Sequence, residues 1–145
     1  MDPLSITVAC IALGELMLKV SRTATSFMHD VRSAQADINA INSEFESIRT
    51  TIEILTEGFL QRTPNQLRGK ILAIVGNYAT IVNEVDEVLS RYQPLISNQR
   101  FQWAVSGKKE LEKLKNHLNT HRHALNIALD TVKLVVIRDV RNLGR

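Results

Sequence analysis

The sequence predicts an all-α fold: an antiparallel bundle of four to five helices, with four long helices and one short helix near residues 97–105. Three observations predict it. Apolar residues recur at alternating spacings of three and four in four long segments, the repeat of a helix face, and no stretch alternates with period two. Chain-breakers are scarce, at 6 glycines and 3 prolines in 145 residues, which favours long uninterrupted helices. Breaks near 58–64 and at Pro94 separate the segments, so the seam folds back into a bundle instead of extending as a coiled coil.

The first segment repeats through Ile6, Cys10, Leu13, Met17, Val20, Ala24 and Phe27. Asp2 stands as its N-cap, with Pro3 at the first helical position, where no backbone donor is needed. The second runs through Ile38, Ile41, Phe45, Ile48, Ile52 and Leu55, and Gly58 follows where a left-handed C-terminal residue is wanted. The third opens on Thr63-Pro64-Asn65-Gln66, with Thr63 as cap and Gln66 able to close a capping box. Its seam is Leu67, Ile71, Ile74, Tyr78, Ile81, Val85, Val88 and Tyr92, and Pro94 ends it. Ser97 and Ser106 are placed to cap a short helix holding Phe101 and Trp103, then the long last helix. That helix repeats through Leu111, Leu114, Leu118, His121, Leu125, Ala128, Val132 and Val135. It is still apolar at Val135, Val136 and Ile137, which reads as a chain cut from a longer protein.

One core in one domain, residues 1–145, suits this length. Hydrophobic residues make up 44% and charged residues 23%, a folded rather than a disordered balance. A single cysteine, Cys10, cannot form an internal disulfide, and Asp2 stands where a secretory signal carries basic residues. The net charge of +3 is unevenly spread: residues 1–60 hold four basic and eight acidic groups, residues 61–145 fourteen and seven. The C-terminal half is therefore either an ordinary solvated face or one suited to an anionic surface, phospholipid or nucleic acid.

The first helix is the most informative element. Between Pro3 and Leu18 its only ionised side chain is Glu15. At 100° per residue, Leu4, Val8, Ile11, Ala12, Glu15 and Leu18 lie away from the seam, so apolar groups surround the helix. Such a helix is enclosed or membrane-seeking, and the two roles are compatible in different states. The run is shorter than the ~20 residues of a simple span, although Lys19 and Arg22 can snorkel. Gly14 costs roughly 1 kcal/mol against Ala in mid-helix, which close packing on another helix or a membrane interface would explain. Cys10, on the seam, reads as a buried inert thiol. Arg100, Lys108, Lys109, Lys113 and Lys115 form a candidate anionic-lipid contact, each basic group contributing on the order of 1 kcal/mol near a charged surface.

Other chemistry is thin. His117 and His121 are four apart, as a metal pair would be, but no third ligand is placed to complete a site, and His121 falls on the seam as a hydrogen-bonded core residue would. Trp103 reads as a packing plug. Ser106-Gly107-Lys108-Lys109 lacks the upstream glycine and the hydroxyl after lysine of a phosphate loop. No nucleophile–base pair, cofactor motif or nucleic-acid motif stands out, so the reading is of a non-enzyme that needs no cofactor and binds no nucleic acid.

The start Met1-Asp2-Pro3-Leu4-Ser5 with its following run of small and aliphatic residues resembles the fungal HeLo-like domain at the N-terminus of STAND proteins. So do Phe101-Gln102-Trp103-Ala104, Lys108-Lys109-Glu110-Leu111 and His123-Ala124-Leu125-Asn126-Ile127-Ala128-Leu129. This family looks like the N-terminal bundle of the mixed-lineage kinase domain-like pseudokinase. The resemblance implies an N-terminal effector domain of an immune-receptor-like protein, with nucleotide-binding or repeat domains downstream in the same chain. It implies cell death by self-association on activation and by targeting of anionic membrane lipids through the apolar first helix. The domain would be cytoplasmic at rest and move to the plasma membrane. The competing reading is a non-toxic helical module that binds its own receptor or an adaptor.

Overall fold

Each apolar seam becomes the buried face of one helix. A computed structural model of the chain describes residues 3–92 and 101–143. Helix α1 spans Pro3–Asp30, α2 Gln35–Gly58, α3 Asn65–Arg91 and α4 Lys108–Leu143. Short 3₁₀ turns, Arg32–Ala34 and Leu60–Arg62, join the first three. Among the described residues there is no strand, and the fold is an all-α bundle.

Every seam residue of the first two segments is buried, from Ile6 to Phe27 and from Ile38 to Leu55. Helix α3 buries Val75, Val82 and Leu89 beside most of its seam, while the expected seam residues Leu67 and Ile74 are only half-buried. It packs on α1 and α4, and α2 packs on the same two, so α1–α4 and α2–α3 occupy the diagonals of the bundle. At the end of α4 the buried positions are Val132 and Val136, with Val135 only half-buried: an unbent helix drifts off a fixed heptad, and the seam slips by one residue.

Polar bonds between helices fix their register. Ser21 Oγ donates to Asn42 Oδ1 at 2.9 Å across the fold-back between α1 and α2. Glu44 on α2 accepts from Asn119 Nδ2 at 2.9 Å and from Arg122 Nε at 2.7 Å, and Thr51 Oγ1 donates to Asn126 Oδ1 at 2.8 Å. The partners advance together along both chains, so α2 and α4 run side by side in the same direction. Arg91, the last residue of α3, meets Glu110 in the first turn of α4 at 3.1 Å.

Several expected helix ends differ. Gly58 closes α2, yet no described glycine has a positive φ, and the chain leaves through Phe59 at φ −120°. Thr63 does not cap α3; its hydroxyl donates backwards to Phe59 O at 2.6 Å. The connection is held by Arg68, which donates to Leu60 O, Gln61 O and Asn65 Oδ1 at 3.0–3.3 Å.

Ser106 does not begin a helix either. Phe101 and Gln102 are already helical, and the helix continues through a π turn at Trp103–Gly107 into α4. The expected short helix over 97–105 is thus replaced, from Phe101 onward, by the start of this continuous helix. Its first part, with Pro94 and Ser97, lies outside the described residues, as does Asp2.

Candidate functional site

The outward face of α1 is the candidate site. The seam occupies one side of this helix, and the arc opposite, about 120° wide at 100° per residue, carries Val8, Ile11, Ala12, Glu15 and Leu18. All five are exposed, with Val8 at 59%, Ile11 at 58% and Leu18 at 45%. α1 is therefore buried on one side only, although it is apolar nearly all round. Leu4 belongs to the same helix, and its side chain lies outside those described. No helix among the described residues is long and apolar enough to cross a membrane.

Beside this face, α1 and α2 enclose a groove of about 530 Å³. Cys10, Ile11, Gly14 and Leu18 line one wall, Ile52 and Glu53 the other, with Glu15 and Arg49 at the rim. Arg49 is held within α2 by Glu46 at 3.1 Å. A Cβ built on Gly14 meets nothing within 4 Å, so no close approach inside the bundle requires this glycine. Cys10 is a free thiol, 3% exposed, and burial pushes its pKa up to about 11, which leaves it protonated and unreactive at neutral pH.

The basic contact lies elsewhere. Lys108, Lys109 and Lys113 are exposed and Lys115 is half-buried, all on the first turns of α4; Arg100 is outside the described residues. From the Ser21–Asn42 and Glu44–Asn119 bonds, Val8 lies thirteen residues back along α1 and Lys108 eleven back along α4. At 1.5 Å per residue Val8 and Lys108 are roughly 30 Å apart along the bundle, while Leu18 and Lys115 are separated by only about 8 Å. The two groups also stand on diagonal helices. One flat surface cannot meet the α1 face and these lysines together.

A second groove, of about 550 Å³ between α3 and α4, contains Glu84, Glu87, Glu110, Lys113, His117 and His121. His121 is half-buried on its wall instead of enclosed in the core. Among the described residues no three potential ligands converge as a metal site.

Trp103 is the plug expected of it. Its ring meets Phe27 at 4.9 Å and Tyr92 at 5.8 Å, both edge to face. Gly107 makes this possible, since a Cβ there would stand 2.5 Å from Trp103 Cε3 and 2.9 Å from Tyr92 Cε2. Tyr78 is buried, and its hydroxyl has no hydrogen-bond partner among the described residues; burial, then the nearby Glu44 carboxylate, push its ionisation well above the ordinary range, against an opposing pull from Arg122.

The α1–α2 groove escaped the sequence reading, since it needs Ile52 and Glu53 brought beside Gly14. The exposed Leu134, Val140 and Leu143 at the end of α4 also went unmarked. The chain matches no family model, and comparison with curated proteins and with solved structures returned no match.

Proposed function

We propose that this chain is a HeLo-like effector domain, the N-terminal module of a fungal immune-receptor-like protein, which acts on anionic membranes through the outward face of α1 when copies are clustered. The observation that carries this reading is the exposed apolar arc Val8, Ile11, Ala12 and Leu18 around Glu15. An amphipathic helix that leaves such an arc in water gains by bedding it in the lipid interface, where no full span is required. Lys19 and Arg22, exposed on the same side, are placed to meet phosphate headgroups. Lys108, Lys109 and Lys113 then act as a separate electrostatic contact during approach, not as part of the bedded face. The domain is cytoplasmic at rest and reaches the plasma membrane on activation.

The antiparallel arrangement of four to five helices belongs to the same proposal. Bonding across the α1–α2 fold-back and from the end of α3 to the start of α4 supports it. In such a series alternate members run in the same direction, as α2 and α4 do.

A protein-binding module is the second reading, favoured by the groove beside Gly14, which has the form of a seat for a helix. Dye leakage from vesicles separates the two. The effector reading expects leakage from anionic vesicles when the domain is tethered in clusters; intact vesicles under those conditions would leave the binding module as the account.

A further inference from the structure

We infer that the outer face of α4 is where a second copy of the chain docks, antiparallel, with the two α4 helices crossing at Leu134. This contact is separate from the proposed membrane face and needs no lipid. The core side of α4 carries the buried row Leu118, Leu125, Val132 and Val136. At 100° per residue, Ile127 and Leu134 stand opposite that row. They are 67% and 69% exposed. Asp130, Arg138 and Arg141, all exposed, share their side of the helix. The five residues fall within about 80° of arc, narrow enough to face one neighbouring helix together.

This stripe is symmetric about Leu134 in position and opposite in charge. Asp130 lies four residues before Leu134 and Arg138 four after it, while Ile127 lies seven before and Arg141 seven after. A two-fold axis beside Leu134 therefore sets Asp130 of each copy level with Arg138 of the other. It also lays the methylene stem of Arg141 along Ile127 of the second copy, and the two Leu134 side chains meet at the centre. A parallel pair would instead set Asp130 against Asp130 and Arg138 against Arg138. Inside one helix the two charges cannot meet, since eight residues separate them by about 12 Å. Neither enters an ion pair among the described residues. α1 stands diagonal to α4, so the docked pair leaves the outward face of each α1 uncovered.

Sedimentation equilibrium of the whole chain in lipid-free buffer tests this. The wild type should pass from monomer to dimer as its concentration rises and form nothing larger, since a two-fold contact is closed. Leu134→Asp, Asp130→Arg and Arg138→Asp are each felt twice in the dimer. Each should raise the dissociation constant at least about tenfold, about 1.4 kcal/mol. All three positions are exposed, so circular dichroism should show the wild-type helical spectrum. A variant carrying both Asp130→Arg and Arg138→Asp should regain most of the lost affinity, because the exchanged charges meet again across an antiparallel pair. A wild type that stays monomeric, or a folded Leu134→Asp variant that dimerises like the wild type, would overturn the assignment. So would a doubly exchanged variant no stronger than the single ones, the result that a parallel pair gives. No lipid is present, so membrane inactivity would leave this result untouched, and Val8→Asp on α1 should dimerise normally.

Discussion

At the scale of single residues, the account turns on side chains whose neighbours are set by the fold. Cys10 ionises near 9.0 when freely exposed and at about 11 in the bundle, because burial disfavours the thiolate. Its contribution to stability is complete below pH 9 and is lost as the pH rises toward 11, since the unfolded chain releases this proton first. Cys10→Ala should therefore lose less stability than the wild type over that interval in urea titrations; equal losses would mean the thiol is not enclosed. Labelling of Cys10 by a thiol reagent should likewise be slow in native buffer and fast in denaturant. Gly107→Ala should cost about 1–3 kcal/mol, as the added methyl collides with Trp103 and Tyr92. A change in tryptophan fluorescence should accompany that loss, and an unaltered melting curve would contradict the close approach. The seam residues were legible because burial follows helical period. Gly107 was not, because its role comes from a ring placed over it by an irregular turn.

At the scale of elements, periodicity located the long helices, and the local rules for their ends did less well. Thr63 and Ser106 have the right identity for caps, yet neither caps a helix. Thr63 bonds to Phe59, and the helix runs through Ser106 because a π turn keeps Trp103 above Gly107 and Leu111. Positions four apart drift by about 40° in an ordinary α-helix, and a widened turn removes the drift. The clamp between α2 and α4 was also illegible, since Glu44 is 75 residues from Asn119 and 78 from Arg122. Its side chains are 14% and 20% exposed at the Glu44–Arg122 pair. Glu44→Ala strands a guanidinium and an amide and should cost about 1–3 kcal/mol. Arg122→Ala combined with it should be much less than additive in a double-mutant cycle. Full additivity would show that the two groups are not coupled.

At the scale of the whole molecule, the fold separates two features that the linear chain allowed to act together. The apolar face of α1 and the lysines of early α4 stand on diagonal helices. Helical phase alone placed Val8, Ile11, Ala12, Glu15 and Leu18 opposite the seam, whereas their exposure follows from the fold, which leaves that side of α1 uncovered. Their distance from Lys108 was not legible, since it depends on the order in which four helices close a ring. Reversing Lys108, Lys109 and Lys113 to Glu should weaken adsorption to anionic vesicles in low salt and leave leakage per bound molecule unchanged. A parallel fall in both would place the lysines in the bedded surface. The central claim, that the exposed α1 face enters lipid, is tested most directly by Val8→Asp, which alters that face at a position outside the groove and away from the core. The account predicts a variant with the wild-type helical spectrum, a stability within about 0.5 kcal/mol of it and clearly reduced leakage of clustered protein on anionic vesicles, since the aspartate takes an apolar group out of the bedded arc and brings a further carboxylate to the headgroup–acyl boundary. A folded Val8→Asp variant that releases dye as fast as the wild type would contradict it.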